Sequence, residues 1–208
     1  MDNRQFLRKK VLARTKKQLD EKFAGKEVHI IKASKTIEDL ESSSNLLHEA
    51  LADWKKRSPA GTSAEMYAQL EKNCAALDDE RKKLSAFIEQ EMKKELPNFT
   101  AIATPSIGAK LLAEAGSKKN LAFIPSSTMQ LLGAEKALFN HIKKHALCPK
   151  HGHLFNHPLL QKLPKQKRGK AARIIAGKLS VAAKMDYFSG KDDSKALVKE
   201  VEDKIRAL

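Results

Sequence analysis

The sequence predicts an all-α protein in which an antiparallel helical hairpin of coiled-coil type precedes a compact helical domain. Apolar residues recur at alternating intervals of three and four residues between positions 30 and 88, which is typical of paired helices. Shorter helical patterns, separated by Gly, Pro, Ser and His, fill residues 98–190. No stretch alternates between apolar and polar residues in the way that predicts a half-buried strand.

The composition limits the kind of protein this can be. With 208 residues and 41% hydrophobic side chains, the chain is able to bury a core. No apolar run approaches the roughly 18 residues of a membrane span, and no secretory signal is visible, so we expect no membrane partner. The two cysteines, Cys74 and Cys148, lie far apart and outside any CxxC pair, which favours a reducing compartment.

The positive charge is concentrated in one part of the chain. The formal net charge is +15. Residues 1–97 carry 20 basic and 17 acidic side chains, whereas residues 98–190 carry 15 basic and three acidic ones, a net charge of +12. Residues 191–208 are balanced at five each. A basic segment of this kind indicates a phosphate-bearing partner.

Four segments follow from these patterns. We predict a basic lead helix over 1–25, the coiled-coil hairpin over 26–97, the compact basic domain over 98–190 and a closing helix over 191–208. The first seam of the hairpin comprises Ile30, Ala33, Ile37, Leu40, Ser44, Leu47, Leu51 and Trp54. The second comprises Tyr67, Leu70, Cys74, Leu77, Arg81, Leu84 and Ile88. Between them, Ser58-Pro59-Ala60-Gly61 predicts a break and Thr62-Ser63-Ala64-Glu65 a capping box.

Helices are also predicted within the basic domain. We expect one over 107–115, stopped by Gly116, and a short one that includes 121–123. Pro125 and the hydroxyls after it predict the start of a helix that continues through Ile142. A loop over about 146–167 then leads to a long Ala-rich helix over 168–187, which Ser189-Gly190 ends.

Four blocks in the basic domain resemble the signature of the Nop domain, in that family's order and approximate spacing. They are Gly133-Ala134-Glu135-Lys136-Ala137-Leu138-Phe139 with the residues from Ile124 before it, Pro149-Lys150-His151-Gly152, Arg168-Gly169-Lys170-Ala171-Ala172-Arg173, and the segment 182–190. The hairpin upstream resembles the coiled coil that precedes this domain in archaeal Nop proteins of box C/D ribonucleoproteins. A related spliceosomal pre-mRNA processing factor has the same two-part arrangement.

The resemblance implies an RNA-binding scaffold of a ribonucleoprotein and not an enzyme. Its expected ligand is a kink-turn RNA of the box C/D guide type, together with the small kink-turn-binding protein of the ribosomal-protein superfamily already bound to that RNA. A homodimer through the hairpin is a further expectation. Fibrillarin is not expected as a partner, because only about 25 residues precede the hairpin where the family carries its fibrillarin-binding domain. The expected location is the cytoplasm in an archaeon and the nucleus or nucleolus in a eukaryote.

The candidate RNA-binding residues lie in the loop and along the long helix. Arg173 and Lys184 are eleven residues apart, about three helical turns, so both project from one face. The Nop family usually has Arg where this chain has Lys184. In the loop, His151 offers a ring for a splayed base and Gly152 permits close backbone approach. The predicted contacts are Lys150, His151, Gly152, Lys165, Lys167, Arg168, Lys170, Arg173 and Lys184.

The motif around Gly133 is predicted to meet the partner protein or another component of the particle. Its residues are Gln130, Gly133, Ala134, Glu135 and Lys136. Glu135 is predicted to order a neighbouring group and not to catalyse, because no second carboxylate or nucleophile–base pair accompanies it. The sequence contains neither GxxxxGK[ST] nor GxGxxG.

Two other interpretations stay open at this point. The cluster His141, His145, Cys148, His151, His153 and His157 allows a tetrahedral zinc site to be drawn, but its spacing matches no common pattern, so we expect no metal or other cofactor. The alternative function is a coiled-coil assembly protein whose basic domain binds RNA without sequence or shape preference.

Overall fold

The structure, a computed structural model, describes residues 3–23, 25–57 and 64–208. Every regular element in these ranges is helical, which confirms the predicted all-α class. The α-helices are α1 (Asn3–Phe23), α2 (Lys26–Arg57), α3 (Ala64–Glu95), α4 (Pro97–Ala103), α5 (Pro105–Ala115), α6 (Lys118–Phe123), α7 (Ser126–Leu131), α8 (Glu135–Lys144), α9 (Pro158–Gln161), α10 (Lys165–Lys184) and α11 (Ser194–Arg206). A 3₁₀ turn (His153–Asn156) precedes α9, and a π-helical turn (Met185–Ser189) follows α10.

Helices α2 and α3 form the predicted antiparallel hairpin, each with 32 residues. Seam residues from both helices are buried, among them Ile30, Leu51, Cys74 and Ile88. Towards the far end, Trp54 packs edge-to-face on Tyr67, with ring centroids 5.1 Å apart. The predicted break and the first two residues of the predicted capping box fall at 58–63, outside the described residues.

The two seam positions that are not apolar, Ser44 and Arg81, belong to one polar layer across the hairpin. The Ser44 hydroxyl donates a hydrogen bond of 3.1 Å to Asp78 and lowers the pKa of that carboxyl. Arg81 lies 3.5 Å from the Glu41 carboxylate on the opposite helix. A polar layer within an apolar seam disfavours other registers, because sliding the helices would leave its groups unpaired.

The core of the molecule lies at the base of the hairpin and extends beneath α4, α5 and α10. Phe99, Met92 and Leu179 are among its completely buried side chains. Since Ile30 and Met92 of the hairpin share this core with residues of α10, the hairpin base and the basic segment are packed against each other. Helix α11 adds Leu197, Val201 and Ile205 to the same core. The segment limits at residues 25, 97 and 190 stay predictions.

Asp186, in the π-helical turn, ties the end of α10 to the start of α4. Its carboxylate accepts hydrogen bonds from the Phe99 N–H at 2.9 Å and from the Asn98 side chain at 2.6 Å. The backbone N–H of Asn98 also donates to this carboxylate, at 3.2 Å. The backbone N–H groups of Asn98 and Phe99 lie in the first turn of α4, where helical donors lack intrahelical acceptors. Burial raises the pKa of Asp186, although the hydrogen bonds oppose that shift.

Three secondary-structure predictions in the basic segment are wrong in detail. The helix predicted from Pro125 through Ile142 is two helices, because Gly133 has a φ of 85° in the left-handed region and interrupts it. The long helix begins at Lys165 and not at Arg168, directly after Pro164. The predicted loop over 146–167 contains the 3₁₀ turn and α9.

No helix among the described residues is long and apolar enough to cross a membrane.

His157 fixes the loop before α9 to the core. The ring is 3% exposed; its Nε2 lies 2.7 Å from the Ile102 carbonyl oxygen, and Nδ1 accepts a hydrogen bond from the Leu159 N–H. These contacts require the neutral ring with its proton on Nε2. Burial accordingly lowers the pKa of His157 from the ordinary value of 6.5.

This lowered pKa predicts a loss of stability in acid. In the unfolded chain, His157 takes up a proton near pH 6.5, whereas in the folded protein its ring stays neutral to a lower pH. Its contribution to the free energy of unfolding is therefore present above pH 6.5 and is lost as the pH falls towards the pKa of the folded state. We expect His157→Gln to lower the free energy of unfolding by about 1–3 kcal/mol at neutral pH and to weaken its pH dependence. Urea titrations at about pH 7.5 and 5.5 measure both effects.

The matched control is His29→Gln, on the exposed face of α2, which should retain the pH dependence of the wild type. If His157→Gln kept the pH dependence of the wild type, the His157 ring would not be the cause of the loss of stability in acid.

Candidate RNA-binding surface

The turn between α7 and α8 is shaped by hydrogen bonds within the predicted motif. Gly133 adopts its positive φ there, and its N–H donates to the Glu135 carboxylate at 2.7 Å. The Ala134 N–H donates to the Leu131 carbonyl at 2.9 Å. Glu135 therefore orders a neighbouring backbone group, as predicted: its side chain accepts the Gly133 N–H in the turn between α7 and α8.

The loop that carries Lys150 and His151 is hydrogen-bonded to this turn. The Gly152 N–H donates to the Gln130 carbonyl at 3.0 Å, and the His153 N–H donates to the Leu132 carbonyl at 2.8 Å. The Gln130 side-chain amide donates to the Lys150 carbonyl at 2.7 Å. We call the α7–α8 turn (130–135) and this loop (150–153) together the paired loops. The two residue sets that the sequence assigned to different partners therefore lie in one surface.

Only glycine fits at position 152 of the paired loops. A Cβ atom there would lie 1.8 Å from the Leu132 carbonyl oxygen and 2.6 Å from its carbon. These are backbone atoms, which cannot rotate away as the end of a side chain could. The close approach at Gly152 is to the α7–α8 turn, whereas the sequence predicted an approach of RNA, and that predicted contact stays a prediction.

His151 belongs to a stack that the sequence did not reveal. Its ring lies on Phe155, with centroids 4.8 Å apart and planes 29° apart. The Arg168 guanidinium lies 5.8 Å from the Phe155 ring centroid and donates to the carbonyls of Leu163 and Gln161. Phe155, which is 40% exposed, is a candidate site residue that we missed. Its position four residues after His151, in a segment rich in Pro and His, was the available signal.

The other predicted cations lie along α10. Lys165, Lys167, Lys170, Arg173 and Lys184 are exposed, and none of them pairs with a carboxylate among the described residues. The start of α10 adjoins the paired loops, because a Cβ at Gly169 would lie 3.4 Å from the Lys150 side chain. Arg173 borders a shallow cavity of about 290 Å³ with Lys178 and Lys204. At about 1.5 Å per residue, Lys184 lies roughly 30 Å from the start of the helix.

The histidines that suggested a zinc site point to separate partners. His141 contacts the Ala146 carbonyl at 2.5 Å, His153 lies 3.4 Å from the Glu114 carboxylate, and His157 is used in the core. No cluster of three His, Cys, Asp or Glu side chains suited to a metal occurs in the part of the chain that the structure describes. The geometry offers no support for the zinc interpretation.

A helical hairpin, a small helical body and a basic helix with paired loops at its start are typical of a helical nucleic-acid-binding protein. The family model for Nop, described as "snoRNA binding domain, fibrillarin", matches residues 8–207. The chain therefore belongs to the Nop family, as the sequence motifs predicted. This membership confirms the prediction of an RNA-binding Nop-domain family.

Individual relatives agree with the family. The chain is 49% identical to an uncharacterized NOP5 family protein of Methanocaldococcus jannaschii over 111 residues, which is 53% of this chain and 27% of that protein. It is 40% identical to nucleolar protein 56 of Dictyostelium discoideum over 134 residues, 63% of this chain and 25% of that protein. These matches span about a quarter of the length of the curated relatives.

A solved structure extends the likeness to the whole chain. It is titled as a crystal structure of a fibrillarin/Nop5p complex, and it matches with a TM-score of 0.73 and 32% sequence identity. The match covers 100% of this chain and 79% of the other.

The paired loops yield a prediction about stability. We expect Gly152→Ala to lower the free energy of unfolding by about 1–3 kcal/mol, because a methyl group cannot fit against Leu132 unless the two segments separate. Chemical denaturation measures this change.

Gly177→Ala in α10 is the matched control. A Cβ at Gly177 meets nothing within 4 Å, so this variant should be as stable as the wild type or more stable, by up to about 1 kcal/mol. If the two alanine variants were equally stable, the close approach at Gly152 would not matter to the fold.

Proposed function

We propose that the chain is a ribonucleoprotein scaffold that binds a kink-turn RNA of the box C/D type together with the small kink-turn-binding protein on it. The observation that carries the proposal is the hydrogen-bonded pairing of the α7–α8 turn with the loop of Lys150 and His151, beside the start of α10. This surface presents the RNA-directed and the protein-directed residues side by side. A composite ligand of RNA and protein suits such a surface.

The RNA side of the proposed surface combines unpaired cations with one stacked ring. Lys165, Lys167 and Lys170 surround the first turns of α10, where free backbone N–H groups also favour an anion. His151 stacks on Phe155 with its plane tilted by 29°, and its other face is proposed to receive a splayed base. Arg168 holds the stack in place through two carbonyls, so we assign it a positioning role as well as its predicted contact.

Arg173 and Lys184 extend the basic surface along α10. Their spacing of eleven residues places them on one face of a straight helix, and both are exposed. A row of cations on a rigid helix suits the phosphates of the RNA stem next to the kink-turn. Arg173 supplies a fork that can bind a phosphate at two points, whereas Lys184 supplies a point charge.

The protein side of the surface is proposed at the α7–α8 turn. Gln130, Gly133 and Glu135 use their polar groups within the paired loops, so they fix the shape of this side. Ala134 and Lys136 are then the groups available to the bound protein, and Lys136 is exposed. Relatives named nucleolar protein 56 and nucleolar protein 58 support a particle of this class. They also support a nucleolar location in a eukaryote, with a cytoplasmic one proposed for an archaeon.

The hairpin is proposed to hold a second copy of the chain or another component of the particle. Residues 26–97 carry 12 basic and 14 acidic side chains, so RNA is not their preferred ligand. Recruitment of fibrillarin is not part of the proposal.

Gel-shift titration of a kink-turn RNA, with and without the kink-turn-binding protein, tests the composite surface. We expect much tighter binding to the RNA–protein complex than to the RNA alone. Six phosphate contacts would give a slope of log affinity against log salt of about −4 to −5. Arg173→Ala should weaken the ternary complex by about 1–3 kcal/mol, because it removes a charge-assisted contact.

Arg57→Ala is the matched control, since Arg57 is an exposed arginine at the far end of α2. It should leave the affinity unchanged. Equal affinity for the RNA with and without its protein would contradict the composite surface, and equal affinity for an unrelated RNA duplex would favour nonspecific binding.

A further inference from the structure

Three aromatic side chains form an exposed patch at the far end of α10, away from the paired loops. Phe123 is 62% exposed, Phe188 is 64% exposed and Tyr187 is 41% exposed. The Phe123 and Phe188 rings meet edge-to-face at 5.8 Å between centroids, and Tyr187 and Phe188 do so at 4.9 Å. We call these three residues the terminal aromatic patch. Large apolar surface left in water often marks a binding site.

The backbone beneath the terminal aromatic patch is anchored to the core. The Ser180 hydroxyl donates to the Ile124 carbonyl at 3.3 Å and joins α10 to the residue after Phe123. On the other side, Asp186 binds the first turn of α4 directly before Tyr187 and Phe188. The rings are therefore presented by fixed backbone, which lowers the entropic cost of ordering them against a ligand.

Exposed lysines lie beside the patch, and Lys191, Asp192 and Asp193 follow it along the chain. Lys119 precedes Phe123 by four residues in α6, and Lys184 precedes Phe188 by four in continuous helix, so each lysine lies on the same side as its ring. The nearest acidic side chain along the chain, Asp186, turns inward to Asn98 and Phe99. Exposed aromatic rings flanked by cations are the combination with which proteins bind single-stranded nucleic acid.

We propose that the terminal aromatic patch binds unpaired nucleotides of RNA by stacking, as a second contact about 30 Å along α10 from the paired loops. Rings with open faces suit unpaired bases, whose faces are free, and not a duplex, whose bases are stacked on each other. Lys119 and Lys184 would pair with the phosphates of the same strand. This contact uses none of the paired loops and shares only Lys184 with the basic surface proposed along α10.

Fluorescence anisotropy with a labelled single-stranded oligouridine of about 12 nucleotides tests the proposal. Phe188→Ala and Phe123→Ala should each weaken binding at least about fivefold, since stacking on one ring contributes that much or more. Phe188→Trp should bind like the wild type, and Phe188→Leu should bind like Phe188→Ala, because leucine keeps apolar area but has no aromatic face. The salt dependence should stay the same in these variants and become shallower in Lys184→Ala.

Phe87→Ala is the matched control, because Phe87 is an exposed aromatic residue, 39% exposed, on the charge-balanced hairpin. It should not change the affinity for the oligouridine. Wild-type binding by Phe188→Leu, or equal binding of the wild type to a duplex of the same length, would overturn stacking and indicate a protein-docking surface instead. Phe188→Ala should still bind the kink-turn RNA with its protein. If neither the wild type nor any variant bound that complex, the result would contradict the proposed function and not the proposal for this patch.

Discussion

The candidate site depends on one close approach, that of the Gly152 backbone to the backbone of Leu132. A side chain at position 152 would meet the Leu132 carbonyl oxygen at 1.8 Å. Because glycine has no side chain, the two backbones can approach each other. The N–H groups of Gly152 and His153 then reach the carbonyls of Gln130 and Leu132. The turn that ends α7 and the loop that carries His151 thereby become one rigid surface. Rigid backbone of this kind keeps side chains in place before a ligand arrives, which reduces the cost of binding.

Helix α10 relates this surface to the rest of the molecule. Its inner face is completely buried at Ala172, Ile175 and Leu179, so its position is determined by the core. Its outer face presents Arg173 and Lys184, and its start adjoins the paired loops. Asp186 attaches its end to α4, directly after the hairpin. The core, the hairpin and the basic surface are thus connected through a single helix.

The periodic parts of the fold could be predicted from the sequence, and the local geometry of the site could not. Intervals of three and four residues predict the hairpin because they report which side chains are buried. The helix break at Gly133 was missed because Gly within a helical pattern does not reveal whether its φ is positive. The stack of His151, Phe155 and Arg168 joins residues in three different elements, and no periodic signal connects them. The motifs identified the family, but the pairing of the loops depends on tertiary contacts.

Hydrogen–deuterium exchange of the chain, free and bound to a kink-turn RNA with its protein, tests the central claim most directly. The amides of Gly152 and His153 on one side and of Gly133 and Ala134 on the other belong to the paired loops. If the turn and the loop form one binding surface, both segments should gain protection together on binding, to a similar extent. Protection of one segment while the other exchanges as in the free protein would contradict the account.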